Sequence, residues 1–357
     1  MEGVVVNHDF WQDRRVLLTG HTGFKGAWLA LWLDQLGAEV TGLALDPPSS
    51  PSLFDAADVE DALSRHVIGD IRNFETVTRV MNAHQPDIVL HLAAQSLVVP
   101  SYDHPIDTYM TNVMGTAHVL EAARQCPSVR VVLNVTTDKC YENQEWHWGY
   151  REGDPMGGHD PYSSSKGCSE LLTASYSRSY FSDTSSVRLA SARAGNVIGG
   201  GDWADHRIIP DFMRAVLAGE PLVVRNPDAI RPWQHVLEPL SGYLTLAERL
   251  FGGRDVVGAW NFGPFDNDAR TVGWIADRLT ERWPGASWQT TGDGERPHEA
   301  TYLKLDCSKA RAELGWSPRL DLAGALDWIV EWYSCFASGG DIAALTRAQI
   351  ERYEALP

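Results

Sequence analysis

No run of residues in this chain is apolar for long enough to cross a bilayer as a helix, which takes about twenty. An integral helical membrane protein is therefore excluded. Basic residues are scarce, 30 Lys and Arg against 47 Asp and Glu, for a formal net charge of -17. Proteins that grip nucleic acid carry basic faces, so nucleic acid is not an expected partner. A nucleotide still is, because helix N-termini and single arginines bind phosphates in acidic proteins. Cysteine is sparse too. Cys126, Cys140, Cys168, Cys307 and Cys335 form an odd, scattered set with no metal-ligand spacing, which reads as reduced thiols and not a disulfide framework. Met1 to Asp13 shows no basic segment followed by an apolar core, so no secretory signal is read and the expected location is the cytoplasm. There is no internal repeat and no low-complexity tract. What remains is a chain of 357 residues, 44% hydrophobic and 22% charged, enough for one large domain or two moderate ones.

Arg15 to Thr19 is a short apolar run that reads as a buried strand. The turn Gly20-His21-Thr22-Gly23-Phe24-Lys25-Gly26 follows, and then a helical pattern from Ala27 to Leu33. Strand, glycine turn and helix together are the setting of a dinucleotide fingerprint. Its glycines let backbone approach a pyrophosphate, and the helix N-terminus supplies N–H donors. The next strand, Glu39 to Leu45, ends at Asp46. A carboxylate there can accept from the ribose 2′-OH and would repel a 2′-phosphate, which favours NAD over NADP. Strands are expected at His66–Arg72, Asp87–Gln95, Val129–Val135 and Ser186–Arg193, with helices at Phe74–Ala83 and Asp107–Arg124. This alternation predicts an α/β fold, a Rossmann-type doubly wound parallel sheet whose ligands lie at the C-terminal strand ends. A smaller C-terminal substrate-binding region should start near residue 194. Residues 1–193 would form the NAD-binding domain, with 233–263 returning to it. Residues 194–232 and 264–357 would bind substrate, and the last helix, Asp341 to Tyr353, would pack on the surface.

Two stretches carry chemistry. The fifth strand runs into Thr136-Thr137-Asp138-Lys139-Cys140-Tyr141, a hydroxyl, a carboxylate and an ammonium in succession, where a plain Asx-type turn is the alternative. Asp160-Pro161-Tyr162-Ser163-Ser164-Ser165-Lys166 places a tyrosine and a lysine four apart, on one face of a helix. A cation beside a phenol favours the phenolate, which would make Tyr162 a general base for a sugar hydroxyl. Arg231 and Arg296 sit in loops. Guanidinium forks suit phosphate oxygens, although a single arginine is more often a surface ion pair.

Taken in order, Gly20-x-x-Gly23-x-x-Gly26, Asp70-Ile71, His91-Leu92-Ala93-Ala94, Thr137-Asp138, Tyr162-x-x-x-Lys166 and Arg193-x-x-Asn196-Val197 resemble the extended short-chain dehydrogenases/reductases over nearly the whole length. More narrowly the chain resembles the nucleotide-sugar 4,6-dehydratases. Thr19 to Gly26, Leu45 to Pro48, Thr137 to Asn143 and Arg231 to Val236 resemble the branch acting on CDP-D-glucose. The resemblance implies bound NAD, contacted by Gly20, His21, Gly23, Phe24, Lys25, Gly26, Asp46, Asp70, Ile71, Leu92, Ala93 and Ala94 as well as by Tyr162 and Lys166. It implies a CDP-sugar substrate held by Gln95, Asn196, Arg231 and Arg296. It also implies catalysis by Thr137, Asp138, Lys139, Tyr162 and Lys166, and a homodimer or dimer of dimers. Asp138 would have to be protonated to expel the C6 hydroxyl. Relatives on other nucleotide sugars carry glutamate as the C5 base where this chain has Lys139. His21 and Lys25 would add bulk and charge to the phosphate loop, so NAD should be exchangeable.

Overall fold

The computed structural model describes residues 6–181, 185–253, 256–290 and 302–357. Seven strands form one parallel sheet. They are β1 (Arg15–Thr19), β2 (Glu39–Ala44), β3 (Arg65–Ile68), β4 (Ile88–His91), β5 (Val131–Val135), β6 (Arg188–Ala194) and β7 (Gly258–Phe262). Their spatial order is β7-β6-β5-β4-β1-β2-β3, with the reversal of strand order between β1 and β4, where doubly wound sheets bind ligands. The central strands β1, β4 and β5 are short apolar runs with both faces covered, as a parallel sheet requires. Leu17, Val89 and Val132 point into one buried cluster, with Val77, Met81 and Leu120 of the covering helices. Val16, Leu18, Leu90 and Leu133 point into the other, with Trp28, Leu29 and Leu244.

Several strands end sooner than the sequence predicts. The Asp87–Gln95 run is strand only to His91. Beyond it, the Leu92 and Ala93 amides donate to Thr19 Oγ1 at 3.2 and 3.1 Å, so the chain leaves the sheet to line the ligand edge. The helix expected over Asp107–Arg124 has three parts, Pro105–Tyr109, a π-type segment Met110–Gly115, and Thr116–Gln125. The final helix, Ile342–Glu354, packs on the surface by one face and leaves Ala344, Glu351 and Arg352 exposed on the other. It buries Thr346, Gln349, Ile350 and Tyr353, and it packs on the glycine-loop helix Phe24–Gln35, where Trp32 Nε1 donates to Glu354 Oε1 at 2.8 Å.

Over the C-terminal strand ends sit the helices Ile208–Ala218 and Val272–Arg282. Three two-stranded ribbons join them: Val197–Ile198 with Gln234–His235, Leu222–Val224 with Trp288–Thr290, and Ile230–Pro232 with Ala269–Thr271. This smaller layer and the sheet edge enclose a cleft of about 2760 Å³. Single small-ligand pockets hold roughly 300–1,000 Å³, so there is room for a dinucleotide and a nucleotide sugar together.

Candidate active site

The floor of the cleft is the glycine turn. Gly20 has φ of 78°, and a Cβ there would lie 2.7 Å from the Ala93 amide nitrogen. A Cβ on Gly26 would lie 2.1 Å from the Gly20 carbonyl oxygen. Only bare backbone fits these contacts. The helix Phe24–Gln35 starts from Gly23 with no side-chain cap and no acidic residue in its first turn. Its first N–H groups are thus left for an anion. Asp46 is exposed at the rim just past β2, and Asp70, Ile71, Leu92, Ala93 and Ala94 line the same wall. Asp70 carries an ordinary structural load as well. Burial would raise its pKa, but hydrogen bonds from the Arg72 backbone and side chain outweigh that and lower it. The cradle therefore fits a dinucleotide.

His21 departs from expectation. Its ring is fully buried, 2.5 Å from where a Gly42 Cβ would stand, and its Nε2 shares a 2.7 Å hydrogen bond with His66 Nδ1. Burial, with His66 adding to it, lowers its pKa to about 3. It brings neither charge nor bulk to the phosphate side of the loop. Lys25 does enter the cleft, but it faces the catalytic side, among Arg207, Lys166, Asp138 and Asp202. Burial chiefly, then the cations, lower its pKa to about 7.

The chemistry is concentrated where β5 ends. Thr137 caps a single turn, Asp138–Cys140. Opposite it the helix Pro161–Ser179 begins, with Pro161 in its first turn and Asp160 as N-cap, accepting from the Ser163 amide at 2.8 Å. These start signals place Tyr162 in the first turn and Lys166 one turn on, both buried. The Thr137 hydroxyl donates to Asp138 Oδ1 at 3.0 Å, and it stands close enough to the Tyr162 phenol to act on its titration. Tyr162, Thr137 and Asp138 therefore line the cleft together.

Burial raises the Asp138 pKa, against the pull of Lys139, Thr137, Arg231 and Lys25. Its Oδ2 is buried with no hydrogen-bond partner among the described residues. Burial likewise pushes Tyr162 up to about 12; the Thr137 hydroxyl and the Arg207 guanidinium act to lower it. The spacing predicts Lys166 as that cation. Instead its ammonium donates to the Val135 carbonyl at 3.3 Å, and burial lowers its own pKa to about 8. Arg207, held by Asp202 at 3.0 Å, is a cleft residue that the sequence reading misses, since nothing local marks it. Lys139 is half-buried and lines the cleft.

Of the expected substrate contacts, Asn196 lines the cleft with a positive φ of 44°, a conformation asparagine adopts more readily than most residues. Arg231 is buried at the cleft wall, close enough to act on Asp138. The Gln95 side chain is spent on its own loop, bonding the Leu97 carbonyl and amide at 3.0 and 3.1 Å, because Asn112 grips the Gln95 backbone from the π-type segment. Arg296 lies outside the described residues.

A family model described as GDP-mannose 4,6 dehydratase matches residues 17–327 of this sequence. The chain belongs to this dehydratase family. It is 51% identical to a CDP-glucose 4,6-dehydratase of Salmonella typhimurium, over 98% of each chain. To a dTDP-glucose 4,6-dehydratase of Xanthomonas campestris it is 30% identical, over 89% of this chain and 92% of the other. A dTDP-glucose 4,6-dehydratase of Bacillus anthracis, solved in complex with NAD, superposes with a TM-score of 0.75 at 22% identity, covering 92% of this chain and 98% of that one. A Thermus thermophilus UDP-glucose 4-epimerase, also solved with NAD, superposes with a TM-score of 0.76 at 24% identity, over 90% and 99%. These two show that the Rossmann-type fold is shared by dehydratases and epimerases alike. Membership of this dehydratase family makes Asp138, buried and with its pKa raised, the residue on which the reading of the site turns.

Proposed function

We propose that the protein is an NAD-dependent CDP-D-glucose 4,6-dehydratase, a hydro-lyase that converts CDP-D-glucose to CDP-4-dehydro-6-deoxy-D-glucose and water. The observation that carries this is Asp138, a buried carboxyl with a raised pKa that accepts from the Thr137 hydroxyl in the same cleft as Tyr162. A 4-epimerase needs no acid at C6; a dehydratase does. The 51% identity to the Salmonella enzyme supports cytidine as the base. When bound, NAD takes two electrons from C4 and returns them at C6, so the elimination is redox-neutral.

The chain's own residues would do the rest. Tyr162 takes the C4 hydroxyl proton, with Thr137 bonded to the C4 oxygen. Asp138 gives its proton to the C6 hydroxyl, which leaves as water. Lys139, where the family resemblance expects glutamate, removes the C5 proton. Lys166 holds the nicotinamide ribose, and Asp46 the adenosine ribose. Asn196, Arg231 and Arg296 would hold the sugar nucleotide's ribose and diphosphate.

Mass spectrometry after incubation with NAD and, separately, CDP-glucose, dTDP-glucose and GDP-mannose tests the whole reading. Loss of one water from CDP-glucose alone is expected. Loss from another substrate instead would keep the mechanism and overturn the base; loss from none would remove the dehydratase. Lys139→Met should stop exchange of the C5 hydrogen with solvent deuterium while oxidation at C4 continues, and unimpaired C5 exchange would rule out Lys139 as the base.

For assembly, the helices Val98–Asp103 and Pro105–Tyr109, the π-type segment and the tyrosine helix share an exposed apolar face. Ile106 is 73% exposed and Leu171 59%, with Met110 and Met114 beside them. Exposed apolar side chains on neighbouring, packed elements suit an interface, and we assign this one to a second copy of the chain. Light scattering should find a dimer, and Ile106→Glu with Leu171→Glu a monomer. A monomeric wild type at micromolar concentration would contradict the assignment.

A further inference from the structure

Four residues past Lys166, on the same helix face, Glu170 is buried to 4% exposure, and Arg193 of β6 opposite it to 2%. They form an ion pair at 2.8 Å. A buried pair of this kind is not a general source of stability, because desolvation offsets the attraction. Its geometry points to another use. Glu170 Oε1 accepts from the Thr136 hydroxyl, and Oε2 accepts from the Ser191 hydroxyl at 2.7 Å and from the Arg193 guanidinium. Arg193 in turn donates to the Tyr141 hydroxyl at 2.7 Å and to the Glu152 carbonyl at 3.1 Å. Its guanidinium lies 4.9 Å from the Tyr141 ring centroid. The Tyr141 hydroxyl donates onward to Asn261 Oδ1 at 2.7 Å.

Thr136 immediately precedes Thr137, Asp138 and Lys139, and Tyr141 closes the same loop two residues after Lys139. We propose that the Glu170–Arg193 pair is a positioning clamp that fastens both ends of the catalytic loop to the helix bearing Tyr162 and Lys166. Glu170 holds the near end directly, and Arg193 holds the far end through Tyr141. The two catalytic elements come from chain segments more than twenty residues apart, and this pair sets their relative placement. Glu170 and Arg193 touch no reacting atom, so they act through the residues they hold. The clamp also has an electrostatic side. Glu170 is a carboxylate that acts on Lys166, opposing the burial that lowers its pKa, while Cys140, His91 and Lys25 are other titratable groups around that ammonium.

The proposal rests on the dehydratase reading for its kinetic readout and not for its structural one. Thr136→Val and Tyr141→Phe each remove one hydroxyl, cut one arm of the clamp and leave the ion pair in place, so both should fold. Small misplacement of reacting groups costs on the order of 100-fold in rate. Each variant should therefore lose about 10- to 100-fold in kcat on CDP-glucose, with KM nearly unchanged, the pattern of an interaction felt only in the transition state. Thr136→Ser, which restores the hydroxyl, should recover most of that loss, which a packing defect would not allow. Hydrogen–deuterium exchange of the amides of 137–140, measured without substrate, should rise in both variants. Wild-type kcat in both, or a loss in Thr136→Ser equal to that in Thr136→Val, would overturn the clamp. Should the wild type itself not turn over CDP-glucose, the dehydratase reading fails and exchange alone decides the clamp: faster exchange supports it and unchanged exchange overturns it.

Discussion

Tyr162→Phe should lower kcat on CDP-glucose about 1,000-fold, within the range a positioned general base supplies, and leave the fold intact. The ring is buried and its face is retained; only one hydroxyl is lost, a change no larger than the loss of one neutral hydrogen bond. A neutral hydrogen bond is worth about 1 kcal/mol net, so the melting temperature should shift by only a few degrees. The pH dependence of the wild type follows from the same group. In the protein alone the phenol titrates at about 12, burial outweighing Thr137 and Arg207. At neutral pH it is overwhelmingly protonated, and the phenolate fraction grows about tenfold per pH unit below that value. The rate of C4 oxidation should therefore climb with pH through neutrality. Arg207→Met, which removes the guanidinium acting on the phenol, should move that limb to higher pH, whereas Arg207→Lys should restore it in part. A Tyr162→Phe enzyme within tenfold of wild type would remove Tyr162 as the base, and a limb that does not move in Arg207→Met would remove the electrostatic role of Arg207.

Much of this site is legible in the sequence because it is local. Gly20, Gly23 and Gly26 are spaced by the turn they build, Asp160 and Pro161 announce the helix that starts with Tyr162, and Thr137-Asp138-Lys139 stands at the end of an apolar strand. What escapes is what tertiary contact creates. His21 looks like bulk in a phosphate loop because its neighbours, Gly42 and His66, lie on other strands. Arg207 meets the tyrosine across the cleft from a helix cap some forty residues on, with no motif around it. Lys166 fits the i, i+4 rule, yet its ammonium turns to the Val135 carbonyl, a choice spacing alone does not predict. Arg193 did carry a signal. A guanidinium inside the apolar run that becomes β6 has to be paired when the strand is buried on both faces, and Glu170, one helical turn past Lys166, is the carboxylate that meets it. Gly195 is another case. A Cβ there would stand 1.8 Å from Asp138 Oδ2, so this glycine makes the space in which the acid sits.

Asp138→Asn should cost about 1,000-fold in dehydration while making the protein harder to unfold, an uncommon pairing that follows from one cause. Burial raises the Asp138 pKa above its ordinary value of 3.8. Between that value and the raised folded one, the native state keeps a proton that the unfolded chain has released. Stability therefore falls as pH rises through this window and stays reduced above it. Asparagine has no proton to lose. Its amide occupies the same volume beside Gly195, and its carbonyl can still accept from the Thr137 hydroxyl. The variant should melt close to the wild type near pH 4 and progressively above it as pH rises, while C4 oxidation survives and water is not expelled. Thermal melts across that range, paired with mass analysis of the product, read both halves. A stability gain that does not grow with pH would show that Asp138 is ionised in the native protein. It could not then be the acid that releases the C6 hydroxyl.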